Sequence, residues 1–210
     1  MMITLFGGGM SRAFRVVWLL EEMGLPYNYR SVNLLADELD ADFLAANPAG
    51  FLPTLQDGET TMVESLAIMQ YLMARYGPTP LAPATDDPAF PAYQQFLHLG
   101  EAGLGVPLYI VSGSRNFAPE DERENWGAGF ALEIYESRLT LVTRQLARSP
   151  YLAGETFTAA DISVSYVFVW ASRYAGITLG DAEQAYIART AGRDAFKRAF
   201  EKSQAAMVRS

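Results

Sequence analysis

Apolar and polar positions are arranged in three ways along this chain, and each arrangement predicts a different kind of structure. Up to residue 76 the apolar residues come in short runs broken by glycine and proline. Residues 3–6 are one such run before Gly7-Gly8-Gly9, which predicts a strand and then a flexible turn. From Ser11, positions Phe14, Val17 and Trp18 with Glu21-Glu22 keep helical spacing, and Gly24 closes the segment, so a helix is expected over 12–23. Residues 27–32, after Leu25-Pro26, read as a second strand. The run at 47–72 predicts a tight entry, a strand containing Leu52-Pro53, a hairpin turn at Asp57-Gly58, another strand and a helix over 66–76. A βαβ unit followed by a ββα unit is the expected order.

Residues 77–91 hold five prolines among small polar residues and predict a linker. Beyond them only helical periodicity is visible. One helix is expected from 88 to about 112, bent and closely packed at Gly100, Gly103, Gly105 and Pro107, and another from 119 to about 147. At 156–162, Thr158 and Asp161 are spaced to cap a helix reciprocally, with Phe157 and Ile162 as a hydrophobic staple. The reading is therefore an α/β domain at 1–76, a linker at 77–87 and an all-α domain at 88–210.

Composition narrows the function classes. Half of the 210 residues are hydrophobic and 19% are charged, a folded rather than disordered balance. The net charge of −8 argues against a nucleic-acid surface. There is no cysteine, which excludes disulfides and a cysteine nucleophile, and with His98 alone a metal site is not expected. The first charge is Arg12 and no run reaches membrane-spanning length, so the expectation is a cytoplasmic protein without a signal peptide or membrane partner.

Two places carry candidate chemistry. A proline within a strand marks an edge, a bulge or a cis bond, and a cis Leu52-Pro53 would turn the backbone N–H and C=O of Leu52 outward, free to pair with an extended peptide. Glu64-Ser65 lies where a strand gives way to a helix, whose free N–H groups and hydroxyl suit a carboxylate. Ser11 opens the first helix and either caps it or offers its hydroxyl to a ligand.

Read together, Asn-Pro-x-Gly-x-x-Pro-x-Leu at 47–55, Glu64-Ser65-x-Ala67-Ile68 and Tyr71-Leu72 resemble the thioredoxin-like domain of soluble glutathione transferases, and Thr158-x-x-Asp161 resembles the signature of their helical domain. The resemblance implies a thioredoxin-like N-terminal domain with an all-α helical bundle behind it. It implies a glutathione transferase, a cytosolic homodimer that takes glutathione as co-substrate, needs no metal and attacks a small hydrophobic electrophile between its domains. Ser11 would stabilise the glutathione thiolate with Arg12 beside it. Leu52, fixed by Pro53, would pair with the cysteinyl unit, while Glu64 and Ser65 would hold the γ-glutamyl end. Arg15 reads as a structural ion-pair partner. Tyr109, Phe117 and Tyr166 are candidate walls for the electrophile, with Arg115 and Asn116 at the rim.

Two departures from that pattern stand out. Phe51 occupies a position that is often lysine or glutamine, and the loop at 36–42 is acidic where a basic residue often meets the glycine carboxylate. They leave room for a non-catalytic binding module. Another glutathione-dependent reaction (isomerase, peroxidase or dehalogenase) is the other alternative, although Gly9-Met10-Ser11 lacks the Ser-Ser-Cys motif usual in maleylacetoacetate-type isomerases.

Overall fold

A computed structural model of the chain describes residues 2–207. The short runs of the first part become a four-stranded mixed sheet: β1 (Ile3–Gly7), β2 (Tyr27–Ser31), β3 (Thr54–Asp57) and β4 (Thr60–Val63), in the order β2-β1-β3-β4. β1 runs parallel to β2 and antiparallel to β3, and β3 pairs antiparallel with β4. The parallel pair needs a crossover, supplied by α1 (Ala13–Met23). Its end is built as its sequence predicts: Gly24 adopts φ 64° and its N–H returns to Leu20 O. Along β1, Leu5 and Phe6 point to opposite faces and both are buried, so the sheet is covered on two sides. Phe6 meets Phe43 of α2 (Ala41–Ala46) at 5.8 Å between ring centroids, and Val32 and Leu52 complete that small core.

Two expectations change here. Leu52-Pro53 does not interrupt a strand, because β3 begins at Thr54; the pair lies in the approach to it, with a cis peptide bond. The acidic segment at 36–42 is not wholly a loop. Asp40 accepts from the N–H groups of Asp42 and Phe43 and so starts α2, while Arg30 bonds Asp40 at 2.6 Å and Asp42 at 2.8 Å. Two of those acids are thus already matched by a cation.

Contacts divide the described chain into residues 2–79 with 192–207, and residues 80–191. The last helix, α9 (Asp194–Met207), belongs by its contacts with α1 and not with the helices that precede it in the chain. Phe196 packs edge-on against Phe14 (5.4 Å) and Trp18 (4.9 Å). Beyond these rings, Arg193 pairs with Glu22 at 2.6 Å, and Glu21 receives Arg198, Lys202 and the Tyr27 hydroxyl. Burial pushes the Glu21 carboxyl up, but its bonds from Lys202, Arg198 and Tyr27 outweigh that and hold it below its usual range.

Residues 80–191 are helical. The single helix expected over 88–112 is two helices, α4 (Phe90–His98) and α5 (Val106–Phe117), joined by a π-helical segment at Leu99–Gly105. The glycines account for it. A Cβ on Gly100 would stand 2.8 Å from the backbone of Ser163, and the Ser163 hydroxyl donates to Leu97 O at 2.8 Å. The next long helix starts later than expected. Pro119 leads only into a short 3-10 turn at Glu120–Glu122, and α6 (Trp126–Leu146) is started by Asn125, which accepts from the N–H of Ala128. α7 (Ala159–Tyr174) has the reciprocal cap of Thr158 and Asp161, and Phe157 and Ile162 are both buried. Asp161 also accepts from Leu152 N and from Tyr186 of α8 (Asp181–Ala191).

Candidate functional site

Three stretches of the sheet-bearing unit meet at one end of β1. The first is the turn 8–12. Its approach to its neighbours is close, since a Cβ on Gly8 would stand 2.5 Å from Val32 O and 3.3 Å from the Leu52 side chain. Only glycine lets the chain pass there. The turn closes through Ser11 N donating to Gly8 O, and Ser11 O accepts from Phe14 N at 2.9 Å.

Ser11 itself is half-buried, and its Oγ accepts from the N–H of Ala13 at 3.4 Å. That is too long for a strong cap. The residue in the capping position is Arg12, whose side chain makes no capping bond. Among the described residues the Ser11 hydroxyl proton has no acceptor, so its donor capacity is unspent.

The second stretch is Leu52-Pro53. The Leu52 side chain is buried in the small core with Phe6, Val32 and Phe43, which fixes the residue. Its backbone N–H and C=O have no hydrogen-bond partner among the described residues. A donor and an acceptor on one firmly anchored residue match one residue of an extended peptide. Asn47 holds the approach from behind, bonding Phe51 O at 2.7 Å and the Thr54 hydroxyl at 3.1 Å.

The third stretch is the start of α3 (Ser65–Tyr76). Glu64 has φ 72°, the sole positive φ at a non-glycine position among the described residues. Such a conformation costs on the order of 1–3 kcal/mol and persists where the surroundings impose it. Glu64 caps no N–H group, and among the described residues the N–H groups of Ser65, Leu66 and Ala67 have no acceptor. The helix therefore presents three donors and the positive end of its dipole. Ser65 is the first helical residue and not the cap, so it does not fill the ordinary capping role that its type suggests.

One side chain links α1 to this helix start, and the sequence reading did not place it in the site. Arg15 is fully buried and its Nη1 donates to Ser65 Oγ at 3.4 Å. A buried guanidinium is rare because of its desolvation cost. The available signal was its position four residues after Ser11, on a helix face otherwise made of Phe14, Val17 and Trp18. The geometry thus brings together Ser11, Leu52, Pro53, Ser65 and Arg15, with Arg12 and Glu64 next to them in the chain.

The residues named for the electrophile behave differently. Tyr166 is buried in the core of the helical unit and is not a wall. Tyr109 packs edge-on against Trp170 at 4.8 Å, and Trp170 leads on to Tyr174 at 5.7 Å, two aromatic rings not singled out from sequence. Arg115 and Asn116 are not loose rim groups. Arg115 bonds Ala175 O at 2.7 Å, and Asn116 and Ser112 both bond Tyr174 O, which satisfies the carbonyls at the end of α7. Phe117 is 86% exposed. His98 is exposed at the end of α4 and has no hydrogen-bond partner among the described residues. Among the described residues no group of three or more His, Cys, Asp or Glu side chains could hold a metal ion, and no helix is long and apolar enough to cross a membrane.

The chain is also similar to known proteins. Residues 1–74 match the family model of the glutathione S-transferase N-terminal domain. Glutathione S-transferase GstB of Escherichia coli is 32% identical over 178 residues, covering 78% of this chain and 80% of that relative. The solved ternary complex of BphK, a bacterial GST, matches with a TM-score of 0.82 and 29% identity, covering 96% of this chain and 99% of that one. A sphingomonad glutathione S-transferase complexed with glutathione matches with a TM-score of 0.81 and 25% identity, covering 96% and 98% of the two chains. On the sequence match and the shared fold together, the chain belongs to the glutathione S-transferase family.

Proposed function

We propose that this protein is a glutathione transferase in which Ser11 activates the glutathione sulfur for attack on a hydrophobic electrophile. The observation that carries the reading is the set of unspent hydrogen-bonding groups around one anchored edge: the Ser11 hydroxyl proton, the Leu52 backbone pair and the first three N–H groups of α3. Glutathione has matching chemistry. Its cysteinyl unit pairs with Leu52, held in register by Pro53. Its γ-glutamyl carboxylate meets the α3 N-terminus and the Ser65 hydroxyl, and its ammonium meets the exposed Glu64. The thiol then lies over the turn at Ser11 and Arg12. In this reading residues 1–76 form the glutathione-binding domain, 77–87 the linker and 88–210 the helical domain, whose last helix α9 packs back on α1.

The energetic demand is modest. A free thiol ionises near pH 8.5, and lowering that by about two units takes about 2.7 kcal/mol of selective thiolate stabilisation. The Ser11 hydrogen bond, the charge of Arg12 and the dipole of α1 supply contributions of that order. Arg15 is a positioning residue, since it touches Ser65. The proposal includes a cytoplasmic homodimer, as the resemblance implies.

A second reading, a binding module without turnover, is favoured by one observation: Phe51 is 38% exposed where a polar side chain would help to hold the tripeptide. The acidity of the preceding segment no longer supports it strongly, because Asp40 and Asp42 are paired with Arg30. Calorimetric titration with glutathione, followed by thiolate absorbance of the complex against pH, separates the readings. Binding with a thiol ionising below about pH 7 supports the transferase. Binding with an unshifted thiol supports the module, and no binding defeats both.

A further inference from the structure

We propose that the tip of the helical unit formed by the end of α5, residues 118–125 and the start of α6 is a docking surface for a basic, arginine-bearing protein segment. This goes beyond the glutathione site and does not depend on it. Phe117 is 86% exposed, Trp126 81% and Phe130 49%, and the rings of Trp126 and Phe130 are stacked at 5.3 Å with only 6° between their planes. Val106 and Ile110 extend the exposed apolar row along the same face of α5, at spacings of four and seven residues towards Phe117. An exposed apolar area of this kind, rimmed by polar residues, is characteristic of an interaction site, and an exposed tryptophan is a frequent anchor of binding energy.

The presentation is built rather than loose. Ser114 Oγ donates to Arg123 O at 2.8 Å, and Asn125 Nδ2 bonds Ser114 Oγ at 2.7 Å and Glu122 O at 2.8 Å. Asn125 also starts α6 through the N–H of Ala128. The segment between the two helices is pinned at both ends, so the aromatic platform is ordered before any partner arrives.

Charge selects the partner. Glu120, Asp121, Glu122 and Glu124 are all exposed beside the platform. The one cation within 118–125, Arg123, has its Nε turned to Ala118 O, and nearby Arg115 has its Nη1 on Ala175 O. A second copy docking face to face would bring two sets of these four carboxylates together, and a membrane or nucleic acid would bring more negative charge. A guanidinium fits both parts of the surface, because it stacks on an indole and pairs with carboxylates at its edge.

The test uses the full chain and a short arginine-rich peptide as the probe. Trp126 reports directly, because Trp18 is fully buried and Trp170 half-buried. The expected result is saturable binding with a blue shift of Trp126 emission, weakened about tenfold when ionic strength rises from about 0.05 to 0.5 M. The variant E120Q/D121N/E122Q/E124Q weakens binding by at least about tenfold. A control with the same change in net charge away from α5 and α6, E59Q/D86N/E155Q/E201Q, leaves it near wild type. Trp126→Ala weakens binding too, with unchanged circular dichroism. Equal weakening by the control, an unshifted Trp126 emission or no binding overturns the proposal. Sedimentation showing self-association that Trp126→Ala abolishes also overturns it, by assigning the face to a second copy.

Discussion

The helical unit and the sheet-bearing unit treat their polar groups in opposite ways. Around Asp161 the groups are consumed internally: the carboxylate takes the N–H groups of Leu152 and Thr158, the Thr158 hydroxyl and the Tyr186 hydroxyl, all within 3.2 Å. Ser163 is spent on Leu97 O and Ser165 on the Thr190 hydroxyl. Around Ser11, Leu52 and the first turn of α3, by contrast, the Ser11 hydroxyl proton, the Leu52 backbone pair and three helix N–H groups meet no hydrogen-bond partner among the described residues. A group that satisfies its neighbours holds a fold together, whereas an anchored group left unsatisfied is ready for a ligand. Under the proposed function the difference separates stability from function in this molecule, and four changes probe it.

The largest effect is expected at Asp161. Asp161→Ala removes the reciprocal cap of α7 and leaves the Tyr186 hydroxyl and two buried N–H groups without their acceptor. The loss is about 3–5 kcal/mol of stability, read by denaturant unfolding, while the folded fraction keeps its glutathione affinity. A loss below about 1 kcal/mol would falsify the view that this network is integral to the fold. Ser11→Ala gives the opposite profile. Its stability changes by less than about 0.5 kcal/mol, because the 3.4 Å contact to Ala13 is a poor cap. Its kcat/KM falls by about 10²–10³, and the thiol of the bound tripeptide ionises close to that of free glutathione.

How much of this was legible beforehand follows from the same contrast. Local devices are written in neighbouring residues, so the Gly24 helix end, the hairpin at Gly58 and the Thr158–Asp161 cap could all be read directly. The fold and the family followed from such pieces in register. Contacts between residues far apart in the chain were not legible. Arg15 reaches Ser65 across fifty positions, and Arg193 and Arg198 reach Glu22 and Glu21 from the far end of the chain. No periodicity announces either. The π segment at Leu99–Gly105 was visible only as a bend, because its cause, the approach of Ser163, lies on another helix. The 36–42 segment looked uniformly acidic for a similar reason: its counter-charge, Arg30, belongs to a different element.

Glu64 offers a sharper test, in which stability and function should move in opposite directions. Its φ of 72° with ψ of 105° lies outside the left-handed helical well, in a region where a Cβ is strained and glycine is less so. Glu64→Gly is expected to stabilise the protein by up to about 1 kcal/mol by relieving that strain, and to weaken glutathione binding, because the carboxylate proposed to face the ammonium is gone. Thermal unfolding and calorimetry on the same sample decide it. If both stability and affinity fall, the backbone at Glu64 is structural and the contrast between the two units blurs.

The smallest expected effect is the pH dependence of the Glu21 cluster, a satisfied network inside the unit that also holds the unsatisfied site. Because the folded carboxyl ionises below its usual range, the unfolded chain takes up a proton at a higher pH than the folded one. The stabilisation from Glu21 is therefore fully present above the unfolded value, about pH 4.3. It is lost as pH falls through the lower folded value. In Glu21→Gln that acid-sensitive contribution is absent, so Tm declines less steeply below about pH 4 than in wild type. At neutral pH the variant is less stable, and added salt narrows the gap because the partners Arg198 and Lys202 are half-exposed. A Tm–pH curve for Glu21→Gln that parallels wild type throughout would mean that the Arg198 and Lys202 pairs to Glu21 contribute nothing measurable, leaving α9 to the Phe196 rings and the Arg193–Glu22 pair.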